Sequence, residues 1–242
     1  MTGKPVCLVV GAGDALGSAI ARRFAREGFH VCVARRTADK LADLVSSIEA
    51  TGGTATAYGC DARREDQVIA LFDQVEATQG AIDVLAHNIG GNVRESILDM
   101  TAQKFFKTWE MACMAGFLTG REAARRMVPR GGGTILFTGA TASLRGGAGF
   151  AGFSAGKSGL RMVAQSMARE LGPKGIHVGH VVVDGAIDTA FIRENFPQRY
   201  ALKEREGILD PAHIADIYWM LHTQPRDAWT FEMDVRPWIE NW

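Results

Sequence analysis

Along this chain, short continuous apolar runs alternate with longer stretches in which apolar residues recur every three or four positions. The first pattern predicts strands buried on both faces, and the second predicts amphipathic helices. Val6-Cys7-Leu8-Val9-Val10 is the first such run; glycines follow, then a helical stretch over 15–27 that stops at Gly28. A strand is expected over 30–34, a helix over 37–51 with Gly52-Gly53 past its end, and an alternating strand over 54–60 that runs into Asp61. A helix over 66–79 leads to a strand over 82–86, which His87-Asn88-Ile89-Gly90-Gly91 terminates. A long helix over 101–127 precedes the buried run Ile135-Leu136-Phe137, a glycine-rich connection and a helix beginning near Phe153. A strand over 177–183, an irregular segment over 186–210, a helix over 212–221 and a strand over 229–235 complete the pattern.

Strands that alternate with helices predict an α/β fold: one doubly wound parallel sheet, Rossmann-like, with helices on both faces and right-handed crossovers. No linker, low-complexity tract or repeat interrupts residues 1–242, so one domain is expected. Ligands of such sheets bind in the crevice beyond the carboxyl ends of the strands. Residues 11–17, Asp61, 87–91, 138–142 and 184–189 all fall at such ends.

The helix after Phe153 carries the residue that departs most from its surroundings. Phe153, Leu160, Ala164, Met167, Ala168 and Leu171 form one apolar stripe, and Lys157 lies on it. An ammonium facing a core needs a polar partner or a depressed pKa, unless its stem alone lies along the core and its head reaches water.

Composition narrows the function classes. The 27 basic and 27 acidic residues of the 242 cancel, which argues against nucleic acid or a polyanionic surface as partner. No apolar run is long enough to span a membrane, and the run at 6–10 is too short for a signal peptide. Cys7, Cys32, Cys60 and Cys113 are scattered, with no metal-ligand spacing. Buried free thiols in a cytoplasmic protein without a bound metal are the expectation.

Gly11-Ala12-Gly13-Asp14-Ala15-Leu16-Gly17 joins the first strand to the first helix. Glycines there permit a tight turn and let backbone amides approach a diphosphate at the helix amino terminus. An NAD site would place an acid at the end of the second strand to hold the ribose hydroxyls, whereas this chain has Arg35 and Arg36. Two guanidiniums suit a 2′-phosphate, so NADP(H) is expected over NAD(H). A solvated basic corner is the alternative, and Asp14 in the loop argues mildly against the phosphate.

These motifs, with Asp61, Asn88-Ile89-Gly90, Lys157, Asp184-Gly185 and Thr189 in the same order, resemble the short-chain dehydrogenase/reductase family over essentially the whole chain. The resemblance implies a nicotinamide cofactor and frequent oligomers built on the long helices, here a homodimer or homotetramer. It implies that Gly11, Leu16 and Gly17 cradle the diphosphate and that Asp61 contacts the adenine. Asn88 and Gly90 would line the adenosine side, Lys157 the nicotinamide ribose, and Gly185 and Thr189 the carboxamide and diphosphate region. Ala15 stands in place of the usual middle glycine, and Asp184 in place of the usual proline.

At the chemistry end the resemblance breaks. The family takes the proton for its substrate oxygen from a tyrosine four residues before the lysine, with a serine holding that oxygen and an asparagine supporting a water relay. Here those positions are Phe153, Ala140 and Cys113, and only Lys157 remains. Tyr58, Tyr200 and Tyr218, the chain's tyrosines, lie outside the strand, loop and helix around Lys157. Two readings follow: a noncatalytic NADP(H)-binding protein, or an oxidoreductase with a substitute donor. Ser143, Thr141, Asp184, His87, Tyr200 and a water on Lys157 are the candidates for that donor. Each has a bland alternative as a loop, capping, core or surface residue. The segment 186–210 is expected to form a substrate lid. Phe191, Ile192, Phe196 and Tyr200, joined by Phe150 and Phe153, would there favour a small hydrophobic ligand. The tail from Trp229 to Trp242 is expected to pack on another subunit.

Overall fold

Residues 3–241 are described in the computed structural model. Seven parallel strands form one sheet: β1 Val6–Val10, β2 His30–Arg35, β3 Thr54–Gly59, β4 Ile82–His87, β5 Gly133–Ala140, β6 Ile176–Val183 and β7 Glu232–Val235. Their spatial order is β3-β2-β1-β4-β5-β6-β7. The connection reverses between β1 and β4, which opens a crevice at the carboxyl ends of these strands. Every residue of β1 and β6 is buried, the two histidines of β6 included, as strands in the middle of a sheet covered on both faces must be.

One face is covered by α1 Leu16–Arg26, α2 Ala42–Glu49 and, between β6 and β7, α9 Pro211–His222; its core includes Ile20, Phe24, Val31 and Tyr218. The other face packs against α3 Glu65–Thr78, α5 Ala115–Met127 and α6 Ala151–Leu171 around Leu8, Phe72, Phe137 and Leu160. Close approach on this second face depends on Gly116 and Gly120 of α5. A Cβ at Gly116 would lie 2.3 Å from Leu160 Cδ1, and one at Gly120 2.7 Å from Phe137 Cζ.

Four expected elements differ in detail. The helix over 37–51 is a 3-10 turn, Ala38–Leu41, followed by α2. The long helix over 101–127 is α4 Ala102–Trp109 and α5 joined by a π turn at Glu110–Met114, a wider turn that apolar spacing does not reveal. The segment 186–210 is not irregular: it holds α7 Ala190–Asn195, α8 Pro197–Tyr200 and a 3-10 turn Ala201–Arg205. These pieces are too short to show a period. Thr189 caps α7 through a hydrogen bond from Ile192 N, and Pro197 starts α8. The last strand is shorter than expected, because Trp229 leaves the sheet to stack on His177 with ring centroids 4.9 Å apart.

Candidate functional site

The crevice begins where β1 meets α1. Gly11 has φ 91°, and a Cβ on it would lie 2.4 Å from Asn88 O. A Cβ on Gly17 would lie 2.3 Å from Gly11 O, so the loop folds this tightly only with glycine at both places. Gly13 faces open space, Ala15 provides no side-chain cap to α1, and Leu16 is buried beneath the turn. The first amide groups of α1 are therefore left for an outside acceptor, the donor set that a diphosphate takes.

Asn88 is more than a lining residue. Its Nδ2 donates to Gly11 O at 3.1 Å, and its Oδ1 accepts from Thr138 Oγ1 at 2.9 Å. One amide thereby ties the ends of β1 and β5 to β4. The Thr138 hydroxyl also meets Tyr218 OH, so α9 is joined to the same network.

From this loop a cleft of about 490 Å³ runs toward the end of β2, with Gly11, Arg35, Arg36, Lys40, Asp61 and Gly90 among its walls. Arg35 reaches Asp14 at 3.6 Å and the Lys40 carbonyl at 3.5 Å. Arg36 and Lys40 are exposed and make no ion pair among the described residues. Asp61 is committed: Arg63 donates to it through Nε at 2.9 Å and through Nη2. Those bonds hold the Asp61 carboxyl below the usual carboxylate range.

At the other end of the crevice lies Lys157, 2% exposed. Its Nζ donates to Thr138 O at 2.8 Å and to Ile89 O at 3.0 Å, the carbonyls where β5 and β4 end. Two of its three N–H groups are thus spent, and burial lowers its pKa to about 8. The apolar stripe placed Lys157 inward, and its head does not reach water.

The side chains around it offer few mobile protons. Phe153 is half-buried, Ala140 ends β5, and Cys113 sits in the π turn with its thiol pKa raised by burial. Ser143 is 3% exposed, and its Oγ accepts from Ala140 N at 3.1 Å, which closes the turn after β5. Thr141 donates to Asp184, a buried carboxylate that also ion-pairs with Arg145 at 3.5 Å and Arg236 at 3.8 Å. His87 is fully buried; its Nδ1 meets Thr119 Oγ1 at 2.9 Å, and burial, then the Lys157 charge, push its pKa down to about 3. It is a neutral core histidine. Tyr200 lies at the end of α8 with the Lys203 ammonium 5.7 Å from its ring centre.

A second buried polar group escaped the sequence. His180 on β6 pairs with Glu232 on β7, Nδ1 to Oε2 at 2.9 Å, and Glu232 takes both Nε and Nη2 of Arg161 at 2.6 and 2.7 Å. Burial pushes His180 down to about 4, and the Arg161 bonds hold Glu232 below the usual range. The available signal was Arg161, one turn beyond Lys157.

The segment 186–210 closes on itself at a neck, where Asp188 N donates to Leu209 O and Leu209 N to Ala186 O, both at 2.8 Å. Thr189 is spent on capping α7, and Gly185, at φ 157°, packs against Pro237. Phe191 and Phe196 meet edge to face with centroids 5.9 Å apart and are exposed, so in this structure they do not wall an enclosed pocket. Within the described residues, the tail also meets the segment 186–210: Trp238 Nε1 donates to Arg205 O at 3.1 Å, and Arg199 pairs with Glu240 at 2.6 Å. The Trp238 ring remains 72% exposed, and Trp242 lies outside the described residues. The described residues contain no cluster of histidine, cysteine or acid fit for a metal, and no helix long and apolar enough to cross a membrane. All four cysteines are free and buried.

Comparison with known proteins agrees with this geometry. A family model described as short chain dehydrogenase matches residues 5–199. An L-rhamnose 1-dehydrogenase (NAD(P)(+)) from Azotobacter vinelandii is 34% identical over 204 residues, 82% of this chain and 78% of that one. A cyclic-di-GMP-binding biofilm dispersal mediator protein from Escherichia coli is 34% identical over 198 residues, 82% and 79% of the two chains. Among solved structures, a short-chain dehydrogenase from Rhodopseudomonas palustris is 49% identical, with a TM-score of 0.83 over 97% of this chain and 99% of the other. A metagenomic short-chain oxidoreductase in complex with NADP is 26% identical, with a TM-score of 0.82 over 98% of both.

Proposed function

The chain belongs to the short-chain dehydrogenase family of oxidoreductases with a nicotinamide-cofactor fold, and on that premise we propose that it binds NADP(H) and does not run the family's tyrosine-based carbonyl chemistry. The observation that carries the cofactor reading is the pair Arg36 and Lys40, exposed cations just after β2 in the wall of the cleft that make no close ion pair among the described residues. A 2′-phosphate would satisfy both, with Arg35 swinging from the exposed Asp14 to join them. The free amides of α1 would take the diphosphate, and Lys157 would direct its uncommitted N–H to the nicotinamide ribose. Asp61, already held by Arg63, would share its carboxylate with the adenine amine, and Gly90 would leave room for the adenosine. These residues would hold the nicotinamide near the end of β5, where its chemistry would be that of a hydride carrier. Fluorescence titration with NADPH and NADH tests this reading: selective binding of NADPH is expected, and equal or absent binding refutes it.

The missing acid is the second part of the proposal. Phe153, Ala140 and Cys113 give a substrate oxygen no hydroxyl, and the nearby hydroxyls of Ser143 and Thr141 are tied into the fold. A nucleotide-binding regulator fits these facts, and one observation favours a second reading, turnover with a non-standard donor. Lys157 keeps one unspent N–H and a pKa near 8, so it or a water on it can release a proton close to neutral pH. Deuteride transfer from labelled NADPH to a panel of small hydrophobic carbonyl, imine and activated alkene compounds separates the two. The exposed Phe105, Phe106, Phe117 and Met162 on α4, α5 and α6 fit a homodimer or homotetramer built on these helices, which sedimentation tests. The four reduced, buried cysteines fit a cytoplasmic setting.

A further inference from the structure

We propose that residues 236–240 act as a strap holding the lid over the crevice, and that Asp184 is the positioning residue that links strap and lid to the loop after β5. The inference rests on the proposed function only in identifying that end of the crevice as the substrate side.

The strap follows directly from β7 and crosses the lid at several points. Pro237 fills the space beside Gly185, where a Cβ would lie 2.7 Å from Pro237 Cδ. Ile239 does the same at Gly207, 2.6 Å from a Cβ there, with Leu202 of the lid on the other side at 2.8 Å. Between these apolar contacts, Trp238 Nε1 binds Arg205 O and Glu240 binds Arg199. The lid therefore has two attachments: its neck at 186–188 and 209, and the strap laid across its far side.

Asp184 stands where the two attachments meet the loop after β5. Its backbone N donates to Val235 O at 2.9 Å, next to the start of the strap. Its side chain, 2% exposed, accepts the Thr141 hydroxyl and lies 3.5 Å from the Arg145 guanidinium and 3.8 Å from that of Arg236, which also bonds Asp234. Thr141 and Arg145 belong to the loop after β5, Arg236 opens the strap, and Gly185 opens the lid. One buried carboxylate is thus shared by three segments distant in sequence. Removing its charge leaves two guanidiniums facing a neutral group and frees the segments from one another. This accounts for an acid at the position where the family resemblance implies proline, and it gives Asp184 a role other than proton donor. The same linkage means that a ligand ordering the loop after β5 also tightens the lid.

The test uses the full chain and reads lid opening without nucleotide. The lid carries the exposed tryptic sites Arg193, Lys203 and Arg205 in short helical pieces, so cleavage there requires local opening. Glu240→Gln is expected to speed cleavage at these sites about ten-fold, the equivalent of one charge-assisted bond. The charge exchange Arg199→Glu with Glu240→Arg should return the rate to near that of wild type, which a merely disturbed tail would not do. Asp184→Asn keeps a side-chain acceptor for Thr141, and it should speed both lid cleavage and amide exchange over 140–145. Arg145→Gln, half-exposed and remote from the lid in sequence, carries the same prediction if Asp184→Asn does not fold. Wild-type lid cleavage in Glu240→Gln overturns the strap. Loosening of only one segment in Asp184→Asn or Arg145→Gln overturns the link. Failure of NADPH to bind would instead end the proposed function and leave this result intact.

Discussion

Replacing Lys157 by methionine, which keeps the length and the apolar stem, should change the way stability depends on pH. In the unfolded chain the ammonium titrates near its ordinary value of 10.5, whereas in the fold burial lowers it to about 8. Between these values the unfolded state binds more protons than the folded one, so stability rises with pH. Below pH 8 both states carry the charge and the full burial penalty is felt; above 10.5 neither does. At about 1.4 kcal/mol for each tenfold change in the proton equilibrium, the wild type should gain about 3 kcal/mol from this group across that window. Urea unfolding at intervals from pH 7.5 to 10.5, on wild type and Lys157→Met together, measures it. Other groups titrate in the same range, including tyrosines and thiols, so the difference between the two proteins is the quantity that counts. The difference should move by about 3 kcal/mol in favour of the wild type as pH rises. Parallel curves would show that the Lys157 head is solvated in the fold and that its two carbonyl bonds do not mark a buried ammonium. They would also remove the reason for regarding it as a proton source near neutral pH.

Arg36→Ala should weaken NADPH by about 10- to 100-fold, the range of one or two charge-assisted bonds, and leave NADH nearly unchanged; equal losses for both nucleotides in a titration would count against the phosphate site. Arg35→Ala should cost less, because Arg35 already spends part of its guanidinium on Asp14. The triple change Phe153→Tyr, Ala140→Ser and Cys113→Asn should create NADPH-dependent carbonyl reduction, measured as cofactor oxidation, and its complete absence would show that more than these three side chains separates this chain from its relatives. Gly120→Ala should destabilise the fold by about 1–3 kcal/mol through overpacking against Phe137, read by thermal or urea unfolding; an unchanged midpoint would mean that α5 can shift away from the sheet at little cost.

The strands and large helices were legible because burial on two faces leaves an unbroken apolar run and burial on one leaves a stripe. Lys157 was legible for the same reason, as a charge interrupting a stripe. The tight turn after β1 was legible because Gly11 and Gly17 act within a few residues of where they stand. What did not show was built from contacts across the sequence. His180 and Glu232 meet only because β6 and β7 are neighbours, and the two bonds of Asn88 cannot be read from its own loop. The lid helices were missed for a different reason, since pieces this short are specified by a cap and a proline rather than by periodicity. The bonds that join the tail to the segment 186–210 belong to the same class, since Trp238 and Glu240 meet Arg205 and Arg199 from more than thirty positions away.

The neck of the lid has a consequence for how such a site changes over time. Because Ile187 and Leu209 pair side by side, the chain leaves the scaffold and returns to it at one place. The sheet therefore does not register how much chain lies between them. The entropy of closing a loop grows only with the logarithm of its length, roughly 0.6 kcal/mol for each doubling. Segments of different length and character can be exchanged between those two residues while the nucleotide end keeps its geometry. The make-up of that segment can in this way drift as a cassette, independent of the scaffold on which it is mounted.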